Sequence, residues 1–312
     1  MNRDDREIQL LDGSVGVELM RRGFKGNLDA LNLTHPDVVR QVHRSYLDAG
    51  ADIITTNTFN AQALTQGGSG MARHIADINR VGAEIAREEA ERAMGGDTSR
   101  HRILVAGSIG PTALSVSAIV GVEERLSAYR RLEAAYEEQV ESLIHGGADI
   151  LLIETVYDAE NAKAALEAVR RVADSSRRRL PLMVSMSMDY ATGRIYTGQT
   201  PEEMLATVAP YQPEAVGFNC SGPSGMVQEL RKLRAISPYR VIAYPNAGLP
   251  DVAGHYAIGP EEFAACVAGM AQEGLADIVG GCCGTGPEHI RRLAEAIGYW
   301  NFKERARTTN GC

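Results

Sequence analysis

The stretch from Ala276 to Glu288, ADIVGGCCGTGPE, sets two adjacent thiols, Cys282 and Cys283, between a short apolar run (Ile278, Val279) and a helix start. Thr285, Pro287 and Glu288 fit a capping box with proline in the first turn. Thiols just ahead of a helix N-terminus feel its partial positive charge, which favours the thiolate. Such thiolates bind soft metals or act as nucleophiles. A third thiol, Cys220, follows another strand-like run, Ala215 to Phe218. Three thiolates with no nearby fourth cysteine suit a zinc site with one coordination position left open, because structural zinc is closed by four protein ligands. The spacing is not the paired C-x2-C of a zinc ribbon. Two other readings of these thiols stand beside this one: ordinary buried cysteines, and a strained vicinal disulfide between Cys282 and Cys283.

Asp12 and Thr56 also lie where apolar runs end, as does Glu154. The two carboxylates are suited to receive a substrate ammonium, since an isolated buried carboxylate is costly and needs a partner. The alternatives are a turn residue before Gly13 for Asp12, a helix N-terminal charge for Glu154, and a plain β-branched strand residue for Thr56. His43, His74, His145 and His289 fall on helical segments and read as surface or packing residues. Cys266, inside the helical run Phe263 to Met270, reads as core, and Cys312 ends a polar tail.

Eight short apolar runs must position these groups. They are Ile8–Leu11, Ile53–Ile54, Ile103–Ala106, Ile150–Ile153, Leu182–Met186, Ala215–Phe218, Val241–Ala243 and the run ending at the cysteine pair. Between them lie helical periodicities, such as Leu126, Tyr129, Leu132, Tyr136, Val140 and Leu143 at steps of three and four. Eight alternations of strand and helix predict an α/β fold, a single (β/α)8 barrel, with a doubly wound sheet as the alternative. Gly50-Ala51-Asp52-Ile53, Gly147-Ala148-Asp149-Ile150 and Ala276-Asp277-Ile278 form a weak repeat. Five residues past each aspartate come Asn57, Glu154 and Cys282, which places the three at similar heights near the C-terminal rim, where barrel enzymes keep their chemistry. The aspartates belong to the opposite face. The barrel is expected over residues 1–298, followed by a polar tail over 299–312.

At 312 residues and 44% hydrophobic content the chain can bury a large core. A formal charge of -8 argues against nucleic acid or an anionic membrane as the main partner. Arg177-Arg178-Arg179 reads as a solvated loop before the next strand. No stretch approaches the ~18 apolar residues of a membrane span, and the first ten residues are too polar for a signal peptide. A cytoplasmic location is expected, and three cysteines after strand-like runs suit a metal or catalytic site in a reducing compartment.

Taken together, Asp12-Gly13, Thr56-Asn57-Thr58-Phe59, Ile153-Glu154-Thr155, Asn219-Cys220, Pro245-Asn246-Ala247-Gly248 and Gly280-Gly281-Cys282-Cys283-Gly284-Thr285 resemble the homocysteine S-methyltransferase family, in order from about Leu10 to Ile297. Glu154 to Leu166, Gly198-Gln199-Thr200 and Asn246 to Pro250 are most similar to the homocysteine-binding module of cobalamin-dependent methionine synthase. The resemblance implies a Zn2+ ion held by Cys220, Cys282 and Cys283, with homocysteine's sulfur in the open position. It implies substrate contacts from Asp12, Gly13, Thr56 and Glu154, and from Asn246 near the metal. The implied reaction is methyl transfer to the homocysteine thiolate, giving methionine.

The turn after Cys220 is one residue shorter than in the methionine-synthase form, and no D-x-H-x-x-G cobalamin motif is present. The expected donor is therefore methylcobalamin carried by a separate module or a corrinoid protein partner. S-methylmethionine, S-adenosylmethionine or a betaine are the alternatives. A different class of reading is a non-catalytic zinc- or thiol-binding barrel.

Overall fold

The computed structural model describes residues 8–67, 70–95, 102–252 and 254–309. Residues 1–7 and 310–312, Cys312 among them, lie outside the described residues. Eight parallel strands form one sheet: β1 (Gln9–Leu10), β2 (Ile53–Thr55), β3 (Leu104–Ile109), β4 (Ile150–Val156), β5 (Leu182–Met186), β6 (Ala215–Asn219), β7 (Arg240–Tyr244) and β8 (Ile278–Val279). Neighbours pair in the order β1-β8-β7-β6-β5-β4-β3-β2, and a parallel bridge between Leu11 and Ile53 closes the ring. This is the (β/α)8 barrel that the alternation predicted. A doubly wound sheet would leave two open edges, and here the first and last strands in the order meet. The final helix, Pro287–Thr309, runs through residue 298. No helix among the described residues is long and apolar enough to cross a membrane.

The three aspartates of the repeat have a common job at the bottom of the barrel. Asp52 Oδ2 accepts the Leu10 N–H at 2.8 Å, Asp149 Oδ2 that of Val105 at 2.9 Å, and Asp277 Oδ2 that of Val241 at 2.8 Å. Each satisfies the N–H of the second residue of the preceding strand and so pins the register of its pair. Each aspartate also gives its own N–H to the carbonyl of that same residue. With the register fixed below, side chains alternate predictably above.

Leu11, Ile53, Ala106, Ile150, Leu152, Met183, Ala215, Ile242 and Ile278 pack in the barrel interior. Residues of the other parity, such as Ile54, Leu151, Val184 and Val241, face the surrounding helices in a second, larger cluster. Gly217 is required for closure. A Cβ there would lie 1.7 Å from the Ile242 carbonyl oxygen, so β6 and β7 approach with nothing between them. Two residues past the interior layer, the same inward parity brings up Ser108, Glu154, Ser185, Asn219 and Tyr244. All are buried, and they form the polar floor of the mouth.

Candidate metal and substrate site

Glu154 is the centre of that floor. β4 shifts register between Ile153 and Val156, and Thr155 sits in the left-handed region at φ 60°. Glu154, inward by the parity of Ile150 and Leu152, accepts from the Ser108 hydroxyl and, at 3.2 Å, from the Tyr244 phenol. Burial raises its carboxyl to about 7, against the pull of those two hydrogen bonds. The carboxyl is therefore poised to ionise when a cation enters. Asp12 is also buried, and desolvation holds its carboxyl well above the usual carboxylate range. It accepts from the Thr55 N–H at 2.8 Å and the Thr55 hydroxyl at 3.1 Å, tying β1 to β2 at the seam of the barrel.

Thr56 lies on the same rim, but its hydroxyl is shared with Thr58 at 2.6 Å and accepts the Ser108 N–H at 2.9 Å. It reaches Glu154 through Ser108. Gly13 is bare because Tyr46 and Thr285 crowd it: a Cβ there would meet the Thr285 hydroxyl and the Tyr46 ring at 2.9 Å.

The three thiols named from strand-end placement come together. The sulfurs of Cys220, Cys282 and Cys283 all lie within 4.8 Å of one another, and the Cys220–Cys283 pair is at 4.0 Å. Tetrahedral zinc with Zn–S of about 2.3 Å requires sulfurs about 3.8 Å apart, so the cluster fits such an ion with small adjustments. All the described cysteines are free, which removes the vicinal disulfide. In this crowd the thiols hydrogen-bond one another. Cys283 is drawn down by the bonds its sulfur receives from Cys220 and Cys282, while the bonds with Cys220 and Cys283 push Cys282 up.

The two loops carrying these thiols are each stitched by backbone hydrogen bonds to the Pro245–Ala247 turn after β7. Cys282 N–H donates to the Pro245 carbonyl at 2.8 Å, Asn246 N–H to Ser221 at 2.9 Å, and Ala247 N–H to Cys283 at 2.9 Å. Asn246 Oδ1 accepts the Cys283 N–H at 3.0 Å, so this side chain works on the ligand loop. On the far side Arg21, from the helix Val15–Arg21, donates to the Gly284 carbonyl at 3.0 Å.

Asn219 links the two halves of the site. Its Oδ1 accepts the Thr155 N–H at 3.1 Å and the Ser185 hydroxyl at 3.0 Å. Its Nδ2 donates to the Thr155 hydroxyl at 2.8 Å and points toward the Cys282 sulfur at 3.9 Å. The next residue, Cys220, is itself left-handed at φ 57°. Two non-glycine residues in that region cost about 1–3 kcal/mol each, and the Asn219 contacts hold one of them in place.

Thr285 departs from the capping-box expectation. Its hydroxyl donates to the Cys282 carbonyl at 2.6 Å and accepts the Ser14 N–H at 3.3 Å, so the ligand turn consumes the group that would have capped the helix. The helix starts at Pro287, and His289 Nδ1 accepts the Gly286 N–H at 3.2 Å instead. Ser108, Ser185, Tyr244 and Tyr256 were not singled out from sequence. For the first three the signal was parity: a polar residue two positions beyond an inward apolar one.

Comparison with known proteins adds the following. The family profile described as homocysteine S-methyltransferase matches residues 9–297. The homocysteine methyltransferase MmuM from Escherichia coli in its metallated form is 24% identical, with a TM-score of 0.74 over 94% of this chain and 97% of that one. Its apo form is 25% identical, with a TM-score of 0.70 over the same shares of 94% and 97%. A B12-independent methionine synthase from Shewanella sp. W3-18-1, in complex with selenomethionine, shares the fold at 14% identity, with a TM-score of 0.54 over 91% of this chain and 92% of that one.

Proposed function

The chain belongs to the homocysteine S-methyltransferase family and is a methyltransferase acting on homocysteine, and from that premise we propose that Cys220, Cys282 and Cys283 hold a zinc ion and that the methyl donor is a methylated corrinoid carried by a separate module or protein. The barrel over residues 1–298 is taken as the unit that does this. The observation that carries the reading is the convergence of three sulfurs within 4.8 Å at a barrel mouth floored by a buried carboxyl.

Zinc bound to three thiolates supplies Lewis acidity, which keeps a thiol of ordinary pKa near 8.5 ionised at neutral pH. The residues of the chain do the rest. Glu154 receives the homocysteine ammonium, and Ser108 and Tyr244 hold its carboxylate in line. Asp12, Gly13 and Thr56 shape the adjoining wall, and Asn246 fixes the Cys283 turn. With the amino-acid end anchored at the floor, the substrate sulfur is directed to the mouth, where the donor arrives. The sulfur attacks the methyl carbon in line, the new C–S bond forms, and the bond to the donor breaks with its electron pair left on the donor. The product thioether carries no proton and no charge, and would be a weaker ligand than the thiolate for a metal held there. No general base is needed for the transfer.

The test is calorimetric binding of homocysteine with metal content assayed on the same sample, followed by methyl donors added one at a time. About one zinc per chain, homocysteine binding, and methionine formed only from methylcobalamin or a methyl-corrinoid protein is the expected outcome. Turnover with S-methylmethionine, S-adenosylmethionine or a betaine in its place would overturn the donor assignment. Absence of both metal and thiol binding would overturn the whole reading.

A further inference from the structure

The loop between β7 and the helix Pro260–Gln272 delivers a side chain to the thiol cluster that the reaction as described does not use. Tyr256 forms an antiparallel bridge with Pro250, and beside it the Asp251 N–H donates to the His255 carbonyl at 2.8 Å. Two residues on, Ile258 N–H donates to Ala247 at 3.1 Å, and the Ile258 carbonyl meets His289 Nε2 at 3.3 Å. The position of Tyr256 is thus fixed from both sides. Its ring lies directly on Gly284: a Cβ on Gly284 would be 2.2 Å from the ring Cγ and 2.6 Å from Cδ1. Gly284 has a φ of +82°, so both its backbone conformation and the overlying ring require glycine there. Seated this way on the residue that follows Cys283, the Tyr256 phenol lies within electrostatic range of the Cys283, Cys220 and Cys282 sulfurs.

We propose that Tyr256 is a positioning residue that donates a hydrogen bond to the Cys283 thiolate and so regulates how strongly that ligand gives electrons to the metal. The inference rests on the reading of the cluster as a metal site. Three thiolates around a divalent cation already leave a net negative centre, and a fourth sulfur from substrate adds to it. A phenol O–H on one sulfur withdraws charge from it, which lets the metal draw harder on the incoming thiol. Cys282 has the buried Asn219 amide on its side at 3.9 Å. Cys283 is faced instead by Tyr256, a partly exposed residue on the loop after β7.

The experiment is to load the unaltered protein and Tyr256→Phe with cobalt(II) and compare the sulfur-to-cobalt charge-transfer band. Homocysteine affinity is measured on the same samples. Phenylalanine keeps the ring on Gly284 and removes only the hydroxyl, so folding is spared. The expected result is a band moved to longer wavelength in the variant, because a sulfur without its hydrogen bond gives up electrons more easily. Homocysteine binding should weaken about tenfold, the low end of what loss of an outer-shell partner costs. A thiolate–cobalt band of unchanged position in Tyr256→Phe would overturn the role given to Tyr256 and leave the metal site standing. Failure of the unaltered protein to show any such band would overturn both.

Discussion

Replacing Glu154 with glutamine tests the floor of the site most directly. The side chain keeps its length, and the contacts can be kept too. If the new amide nitrogen faces the Tyr244 oxygen, Tyr244 turns its proton to Ser185, which already donates to Asn219 Oδ1 at 3.0 Å. What disappears is the negative charge offered to the substrate ammonium. A hydrogen bond to a charged group contributes about 1.5–3 kcal/mol, so homocysteine should bind about 10- to 150-fold more weakly. The pH dependence gives a second measure. With a carboxyl at about 7 in the free site, the ionised fraction rises about tenfold between pH 6 and pH 8.

Both proteins gain affinity with pH because the substrate thiol gives up its proton on binding, but the variant should gain about tenfold less over that interval. Calorimetry in two buffers reads affinity and proton release together, with metal content as the control. Equal affinities at pH 8, or parallel pH profiles, would refute the assignment of Glu154 to the ammonium. The sign for stability runs the other way: a carboxyl raised from 4.5 to about 7 on folding favours the fold at low pH, and that advantage fades as pH rises through 7. The glutamine protein should therefore be the more stable of the two above pH 7.

Cys282→Ala should abolish metal retention and activity while circular dichroism and the unfolding midpoint stay near those of the parent, since the barrel closes through β1, β2 and β8 independently of the sulfurs; full turnover by the metal-free variant would sink the mechanism. Asn219→Ala removes the contacts that hold Thr155 at φ 60° and should weaken zinc retention and homocysteine binding together, with about 2–4 kcal/mol lost from the unfolding free energy; loss of one function alone would show that the halves are uncoupled. His43 is buried with both ring nitrogens lacking partners, and burial lowers it from 6.5 to about 4. The unfolded chain therefore takes up a proton that the fold refuses as pH falls below 6.5. Denaturant melts at pH 7.5 and 4.5 should show the parent losing about 2.5 kcal/mol more than His43→Leu, and identical losses would refute it.

The barrel was legible because its signals are local and repeated. Gly50-Ala51-Asp52 and Gly147-Ala148-Asp149 each end a helix and start a strand, as Ala276-Asp277 does. The aspartate in each case accepts the N–H of the second residue of the preceding strand, so the sequence repeat reflects a repeated hydrogen bond. Strand ends were harder. The run Ile150–Ile153 stops being apolar at Glu154, yet β4 continues to Val156, because the bulge at Thr155 depends on Asn219, 64 residues away. A local reading has no access to that contact. The Thr285 capping box failed for the same reason: Ser14, brought in from the start of the chain, and the Cys282 carbonyl compete for its hydroxyl. Tyr256 was invisible because its partner, Gly284, reads as an ordinary turn glycine until the ring lying on it is seen.

The two halves of the site are built on different principles, and the roles proposed for them account for the division. Recognition of an amino-acid ammonium needs a charge held still, and Glu154 with its supports Ser108, Ser185, Asn219 and Tyr244 stands on strands whose register is fixed below. Side chains on rigid elements hold their geometry with little freedom to relax. A metal that must accept one sulfur ligand and release another needs ligands able to adjust by a few tenths of an ångström. Cys220, Cys282 and Cys283 stand just beyond the strands, on two turns that are each hydrogen-bonded through the backbone to the Pro245–Ala247 turn between them. Asn219 is the last residue of β6 and immediately precedes Cys220, so it belongs to both systems. A change at either half should therefore reach the other through this one amide, which is why its removal is expected to disturb metal and substrate binding together.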